Sequence, residues 1–215
     1  MELGLKNKVV VITGGSQGIG KAAGLEFAAE GCKVCVCARR QEKLDAARED
    51  FRCMGYDLFA MKADVTKPEE LEAFADAVVE KYGRIDVWIN NAGTNQYKKV
   101  IDYGYEDLMH IINTNLVAVI IGCKIAAERM RKTGGGVILN ASSYAAVTPI
   151  AGKAPYAACK SGVLSLTRSL AGEFAPYHIR VNAYIPGLIA TEISRSNIEL
   201  YGDAMLKDIP ISSAS

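Results

Sequence analysis

The chain is short of histidine, of net charge and of long apolar runs, and each shortage removes a class of function. Among its 215 residues only His110 and His178 are histidines, and neither stands in a hydrolase motif. Ser143 also lacks the GxSxG elbow that a serine hydrolase needs to expose its nucleophile. Lys and Arg number 25 against 24 Asp and Glu, a formal net charge of +1. The basic stretches Arg39-Arg40 and Arg129, Arg131, Lys132 are too short to make a field for a phosphate backbone, so no nucleic-acid partner is expected. The longest strongly apolar run, residues 116–122, is far below the roughly 20 residues that cross a bilayer. Met1-Glu2-Leu3 opens no signal peptide, and the expected location is the cytoplasm, away from any membrane.

What is present describes a globular α/β chain. Hydrophobic residues make up 50% and charged residues 23%, which argues against disorder, collagen and coiled coil and suits a single domain over residues 1–215. Six cysteines in a chain of this size fit a reducing compartment better than a disulfide framework. Cys32-x-x-Cys35 raises zinc or redox chemistry. Because no second CxxC exists and Cys35 and Cys37 alternate within an apolar run, burial as small hydrophobes is the better reading.

Short apolar runs alternate with longer segments of helical period, the pattern of βαβ units around a parallel sheet. Six strands are predicted at 9–12, 33–38, 58–62, 85–89, 137–140 and 179–183. Thr66 with Glu69 reads as a capping box, Pro68 suits a first helical turn, and Gly31, Gly55 and Gly83 fall where helices should stop. The spacing predicts long helices over about 105–132 and 155–175. Their apolar residues, Leu108, Ile111, Ile112, Leu116, Val119 and Ile120 in one and Val163, Leu164, Leu166 and Leu170 in the other, serve either the core or contact between subunits.

Directly after the first strand comes Thr13-Gly14-Gly15-Ser16-Gln17-Gly18-Ile19-Gly20, leading into a helix. Glycine at 14 allows a tight turn, at 18 close approach of a phosphate to the backbone, and at 20 close packing of helix on strand, so a pyrophosphate meets a helix N-terminus. The spacing is GxxxGxG. In order after it come Asp64 beyond the third strand, Asn90-Asn91-Ala92-Gly93 beyond the fourth, Asn115 in a long helix, and Ser142-Ser143 beyond the fifth. Tyr156-Ala-Ala-Cys-Lys160 then opens a helix, and Pro186-Gly187-x-x-x-Thr191 follows the sixth strand.

With these motifs the chain, from about Lys6 to Thr191, resembles the short-chain dehydrogenase/reductase family. The resemblance implies a Rossmann-like doubly wound parallel sheet and a nicotinamide dinucleotide as cofactor. It implies that Gly14, Ser16, Gln17, Gly18, Ile19 and Gly20 hold the pyrophosphate, that Asp64 and Val65 meet the adenine, and that Asn91, Ala92 and Gly93 wall the cleft. Pro186, Gly187, Ile189 and Thr191 would meet the nicotinamide carboxamide.

Where an NAD enzyme usually offers a carboxylate to the ribose 2′-OH, this chain reads Ala38-Arg39-Arg40. A guanidinium there suits a 2′-phosphate, so NADP(H) is preferred and NAD(H) remains possible. Gln17 departs from the basic residue that the family's NADP enzymes often place in the loop.

Tyr156 and Lys160 are four apart on one helix face. A phenol of pKa about 10 must gain roughly 4 kcal/mol of differential stabilisation to serve near neutrality, and the Lys160 ammonium is expected to favour the phenolate. Ser143 is positioned to hydrogen-bond the substrate oxygen, with Ser142 as its competitor, and the resemblance gives Asn115 a water-mediated link to Lys160. The expected reaction exchanges a ketone and a secondary alcohol by hydride transfer. Substrate choice would rest on 94–97, 144–153 and a lid at about 188–207, whose apolar content suits a medium-sized ketone. Oxoacyl thioesters, steroids, sugars and quinone-like ketones all remain open. By the resemblance another helix and a seventh strand would follow, so part of the pocket and of the subunit contact is expected to be missing, the chain being either a truncated form or one whose sixth strand is covered by oligomer contacts. The alternative expectation is accordingly a catalytically weak cofactor-binding scaffold or sensor. A homo-oligomer, dimer or tetramer, is expected.

Overall fold

In the computed structural model, which describes residues 3–148, 150–189 and 191, the β-branched run after Lys8 becomes β1 (Val9–Thr13), buried along its whole length. A strand covered on both faces keeps no polar alternation, and β2 (Lys33–Ala38) repeats the pattern with Val34, Cys35, Val36 and Cys37. With β3 (Leu58–Lys62), β4 (Val87–Asn90), β5 (Gly136–Ala141) and β6 (Ile179–Tyr184) they form one sheet ordered β3-β2-β1-β4-β5-β6. Every pairing is parallel, so the Rossmann-like α/β arrangement expected from the sequence is present. β4 starts two residues later than predicted because Asp86 has another use. Its carboxylate accepts the Val9 amide at 2.9 Å and pairs with Arg84 at 2.7 Å.

One face of the sheet carries α1 (Gly18–Ala29) and α2 (Gln41–Cys53), whose Ala28, Leu44 and Phe51 pack on Val10, Ile12, Val34 and Val36. The other carries α3 (Pro68–Tyr82), α5 (Ala118–Met130) and α6 (Ala154–Phe174) over Val11, Cys35, Cys37, Trp88 and Ile138. Cys32 and Cys35 therefore belong to opposite faces and cannot share an ion. Among the described residues no group of three or more metal-ligating side chains gathers.

The expected capping box at Thr66 and Glu69 does not form. Pro68 opens α3, so Lys67 is the N-cap and the third helical position is Glu70. Glu70 Oε2 accepts the Asp64 amide at 2.8 Å, while Thr66 Oγ1 donates to Asp64 Oδ1 at 2.8 Å. The predicted helix over 105–132 is also not one α-helix. α4 (Tyr105–Ile112) passes through a π-turn, Asn113–Val117, into α5. The continuous span Tyr105–Met130 would suffice by length and composition to cross a membrane, but Ile111, Val119, Cys123, Ile125 and Ala126 bury it on the sheet. Part of its apolar surface stays outside: Tyr105, Val117 and Ile120 are exposed, as are Val100 and Ile101 in the preceding turn.

A polar thread crosses the core. Trp88 Nε1 donates to Asn90 Oδ1 at 2.8 Å, Asn90 Nδ2 to Asn140 Oδ1 at 2.8 Å, and Asn140 Nδ2 to Thr167 Oγ1 at 3.0 Å. Each buried amide finds a partner, and β4, β5 and α6 are fixed in register. Strand order reverses between β1 and β4, so their carboxyl ends open a crevice at the switch point. β3 and β6 are the edge strands of the described sheet. Most of the expected lid lies outside the described residues, which include only 188, 189 and 191 of it. The expectation about missing C-terminal elements concerns residues outside them too.

Candidate active site

The turn after β1 is built by close approach. Gly14 has φ +65°, and a Cβ there would stand 2.8 Å from the Ala92 Cα. A Cβ on Gly20 would stand 2.5 Å from both Gly14 O and Asn91 Nδ2. Glycine alone fits either position without displacing backbone. Asn91 fills the space so gained: its Nδ2 donates to Thr13 O at 3.0 Å and to Gly14 O at 3.1 Å. In return Thr13 Oγ1 accepts the Asn91 and Ala92 amides at 3.0 and 3.1 Å, and Tyr184 Oη donates to Asn91 Oδ1 at 3.1 Å. The ends of β1, β4 and β6 thus share one hydrogen-bonded cluster.

α1 starts at Gly18 with no side-chain cap from Gln17 and no acid in its first turn. Its free amides and positive end are left for an anion. Gln17 instead accepts from Arg40, Nη2 to Oε1 at 2.9 Å, so the loop amide orients a guanidinium at the end of β2. Thr191 Cγ2 lies 3.3 Å from the Cβ position of Gly18, which brings the segment after β6 over the loop.

Between these parts runs a cavity of about 280 Å³. Of the residues expected to bind cofactor, Gly14, Ser16, Gln17, Gly18, Ile19, Arg39, Arg40, Asp64, Val65, Asn91, Ala92, Gly93, Pro186, Gly187, Ile189 and Thr191 line it, together with Ser143, Tyr156 and Lys160. Gly20 and Asn115 do not, since Gly20 packs beneath Asn91 and Asn115 is fully buried.

At the far end α6 presents Tyr156 and Lys160 one turn apart. The Lys160 ammonium donates to Ala141 O at 2.8 Å and stands 5.7 Å from the Tyr156 ring centre. Both serines line the cavity, but the Ser142 hydroxyl donates to Lys160 O at 2.9 Å, whereas the Ser143 hydroxyl accepts the Ala145 amide at 3.2 Å and stays beside the Tyr156 phenol. That difference separates the two serines. Burial pushes the Tyr156 phenol above its ordinary value and the hydrogen bond from Ser143 only partly opposes it. The Lys160 ammonium is directed at the Ala141 carbonyl rather than at the phenol oxygen. Burial brings Lys160 itself down to about 8.

Asn115 sits in the π-turn and binds backbone. Its Nδ2 donates to Thr94 O at 2.8 Å and Ile111 O at 2.9 Å, and its Oδ1 accepts the Thr94 amide at 3.2 Å. It pins the loop after β4 against the helix. A Cβ on Gly93, between them, would be 3.0 Å from Asn115 Oδ1 and 3.8 Å from Lys160 Nζ.

Asn95, Thr114, Lys153 and Tyr184 also line the cavity, Asn95 and Lys153 within the stretches 94–97 and 144–153 on which substrate choice was expected to rest. Asn95 Oδ1 and Thr114 Oγ1 are buried without a hydrogen-bond partner among the described residues, the condition of polar atoms that meet a bound molecule or water. Lys153 carried a readable signal, a cation at the N-cap of a helix where the dipole disfavours it. The glycine cradle, the uncapped positive end of α1, the guanidinium at β2 and the two orphaned polar atoms together fit a phosphorylated dinucleotide.

Comparison with known proteins agrees. A family model described as short chain dehydrogenase matches residues 8–201. The chain is 35% identical over 205 residues to a 3-oxoacyl-(acyl-carrier-protein) reductase FabG of Staphylococcus aureus, covering 95% of this chain and 83% of the relative. It is 39% identical over 203 residues to 3beta-hydroxysteroid dehydrogenase 1 of Eggerthella lenta, with 93% and 76% covered. A crystal structure of an actinorhodin polyketide ketoreductase with NADPH superposes with a TM-score of 0.87 at 34% identity, covering 92% of this chain and 77% of the other.

The buried Lys160 makes a pH test. Its folded value of about 8 lies below its ordinary 10.5, so between these limits the unfolded chain holds the extra proton and the residue's contribution to stability rises with pH. The raised thiols and phenols push the other way, so a difference is measured. Wild type should gain stability relative to Lys160→Met in urea unfolding as pH climbs from 8 toward 10. A constant gap across that window would refute the depressed value.

Proposed function

The chain belongs to the short-chain dehydrogenase family, and from that premise we propose that it is an NADP(H)-dependent oxidoreductase in which Tyr156 is the acid and base that interconverts a ketone and a secondary alcohol. That it is an enzyme acting with NAD(P) on a CH–OH group, or on the carbonyl formed from it, follows from the family and its relatives. The finer reading is carried by one observation: Ser143, Tyr156 and Lys160 line the same cavity as the glycine turn and Arg40.

The amides of Ser16, Gln17, Gly18 and Ile19 would hold the pyrophosphate, Asp64 and Val65 the adenine, and Pro186, Gly187, Ile189 and Thr191 the nicotinamide. When bound, the nicotinamide supplies or accepts the hydride. In reduction Tyr156 gives its phenolic proton to the carbonyl oxygen, and Ser143 donates a hydrogen bond to the same oxygen as charge gathers there. The buried Lys160 stabilises the phenolate left behind and steadies the nicotinamide ribose. Asn115 positions Gly93 and Thr94, and the second lone pair of its Oδ1 serves a water relay toward Lys160. Asn91, Ala92 and Gly93 keep the cleft open by holding the glycine turn. The substrate is a medium-sized, partly apolar ketone or alcohol.

The first test titrates the enzyme with NADPH by fluorescence and then follows NADPH absorbance against a ketone panel. Binding with oxidation is expected, and binding without oxidation of any ketone would favour a scaffold or sensor. Tyr156→Phe should bind NADPH as before yet lose at least about 10²-fold in turnover, the low end for acid–base catalysis. A variant near the wild-type rate would remove Tyr156 from the mechanism.

The cofactor preference rests on Arg40, held by Gln17, with Arg39 beside it. A charge-assisted hydrogen bond to phosphate contributes about 1.5–3 kcal/mol, so Arg40→Ala should lower the ratio of kcat/KM for NADPH over NADH by roughly 10- to 100-fold. Equal efficiency with both cofactors in wild type would overturn this choice. Self-association completes the reading, with Tyr105, Val117 and Ile120 as the contact face. Sedimentation velocity should then find a dimer or tetramer that Ile120→Lys weakens, and a monomer at every concentration would exclude it.

A further inference from the structure

Lys153 is a buried cation with no assigned task. It is 8% exposed and lines the cavity that holds Ser143 and Tyr156. Among the described residues no carboxylate or other acceptor holds its ammonium, although Lys160, buried more deeply still, donates to Ala141 O. Its place is doubly unfavourable. As N-cap of the 21-residue α6 it stands at the positive end of a long helix dipole whose first turn contains no acid, and burial strips it of water. Asp64 is the one carboxylate among the described cavity-lining residues, and its Oδ1 already accepts from the Thr66 amide and hydroxyl. The backbone offers no slack for escape. The Lys98 amide donates to Gly152 O at 2.9 Å, and the Tyr97 ring lies 2.9 Å from where a Gly152 Cβ would be.

A cation held in this way is compensated by an anion that arrives with the substrate. We propose that Lys153 is the anion-recognising residue of this site, and that the ketone reduced here carries a carboxylate within a few bonds of its carbonyl; the substrate assignment rests on the reading of the site given above. Lys153, the N-cap of α6, precedes Tyr156 by three residues, and both line the same cavity, so an anion held by one lies on the substrate side of the other. Reduction consumes one hydride from NADPH, delivered to the carbonyl carbon, and one proton delivered through Tyr156 to its oxygen. The products are the hydroxy acid and NADP⁺, and the carboxylate is unchanged. Its ammonium meets the carboxylate in a charge-assisted hydrogen bond, stronger here than at the surface because water is excluded.

The test pairs an acid with its neutral ester: levulinate and methyl levulinate, acetoacetate and methyl acetoacetate. Wild type should reduce an acid with kcat/KM at least about 10-fold above its ester, a comparison that needs no variant. In Lys153→Met that ratio should collapse through KM for the acid, Lys153→Arg should restore part of it, and NADPH titration of both variants confirms that the cleft is intact. Calorimetry of levulinate binding gives a readout independent of turnover, with binding in wild type and loss in Lys153→Met. Reduction of the esters with no preference for the acids overturns the anion site and leaves the oxidoreductase standing. Lys153-dependent levulinate binding without NADPH oxidation does the reverse. An acid preference that survives in Lys153→Met, or an effect confined to NADPH affinity, also overturns it.

Discussion

Everything in the cleft depends on the bond between Asn91 and the carbonyls of Thr13 and Gly14. In a parallel sheet the ends of β1 and β4 diverge at the switch point, and nothing in the ladder itself fixes how far apart the turns beyond them stand. The Asn91 side chain fixes it by taking the place of a backbone donor across the gap, and Thr13 Oγ1 answers by accepting two amides from the other side. The requirement for glycine at 14 and 20 follows from this contact, because any Cβ would occupy the space of Asn91 or Ala92. Tyr184 extends the cluster to β6, so a single set of hydrogen bonds sets the geometry at both ends of the cavity.

Most of the fold was legible because its signals are local. Runs of Val, Ile and Cys specify strands by composition, and the glycine turn and the Tyr156–Lys160 pair stand out through their spacing. What escaped is what depends on distant partners. In the thread from Trp88 through Asn90 and Asn140 to Thr167 the last two bonds join residues 50 and 27 positions apart, and no sequence window contains them. The π-turn at Asn115 arises because its side chain takes the Ile111 carbonyl and Thr94 together, a tertiary demand on a segment whose periodicity is simply helical. Thr66 and Glu69 failed for a local reason. Pro68 moved the start of α3 by one residue and gave the third position to Glu70.

The site was legible in its residue types more than in their electrostatics. The position of Ser143 relative to Tyr156 separates it from Ser142, whose hydroxyl is committed to Lys160 O. For Tyr156 the sequence suggests a phenol lowered by an ammonium, whereas burial lifts it and Lys160 turns to Ala141 O. Pair spacing predicts that two groups share a face. It does not predict which acceptor a flexible ammonium selects, since that depends on the carbonyl at the end of another strand.

Where the sequence breaks local rules, the breaks cluster at the cavity. A lysine caps the N-terminus of α6, Thr114 and Asn95 each bury an unpartnered oxygen, and Lys160 is held in a pocket dry enough to bring it down to about 8. Each feature costs folding stability, and away from the cavity the structure shows the opposite habit, with Asp86, Asn90 and Asn140 fully partnered. Burial without a partner is tolerated only where a bound molecule can supply one. The same physics that weakens the free protein at these points therefore strengthens its hold on a ligand, because a pre-desolvated charge spends none of its binding energy on shedding water.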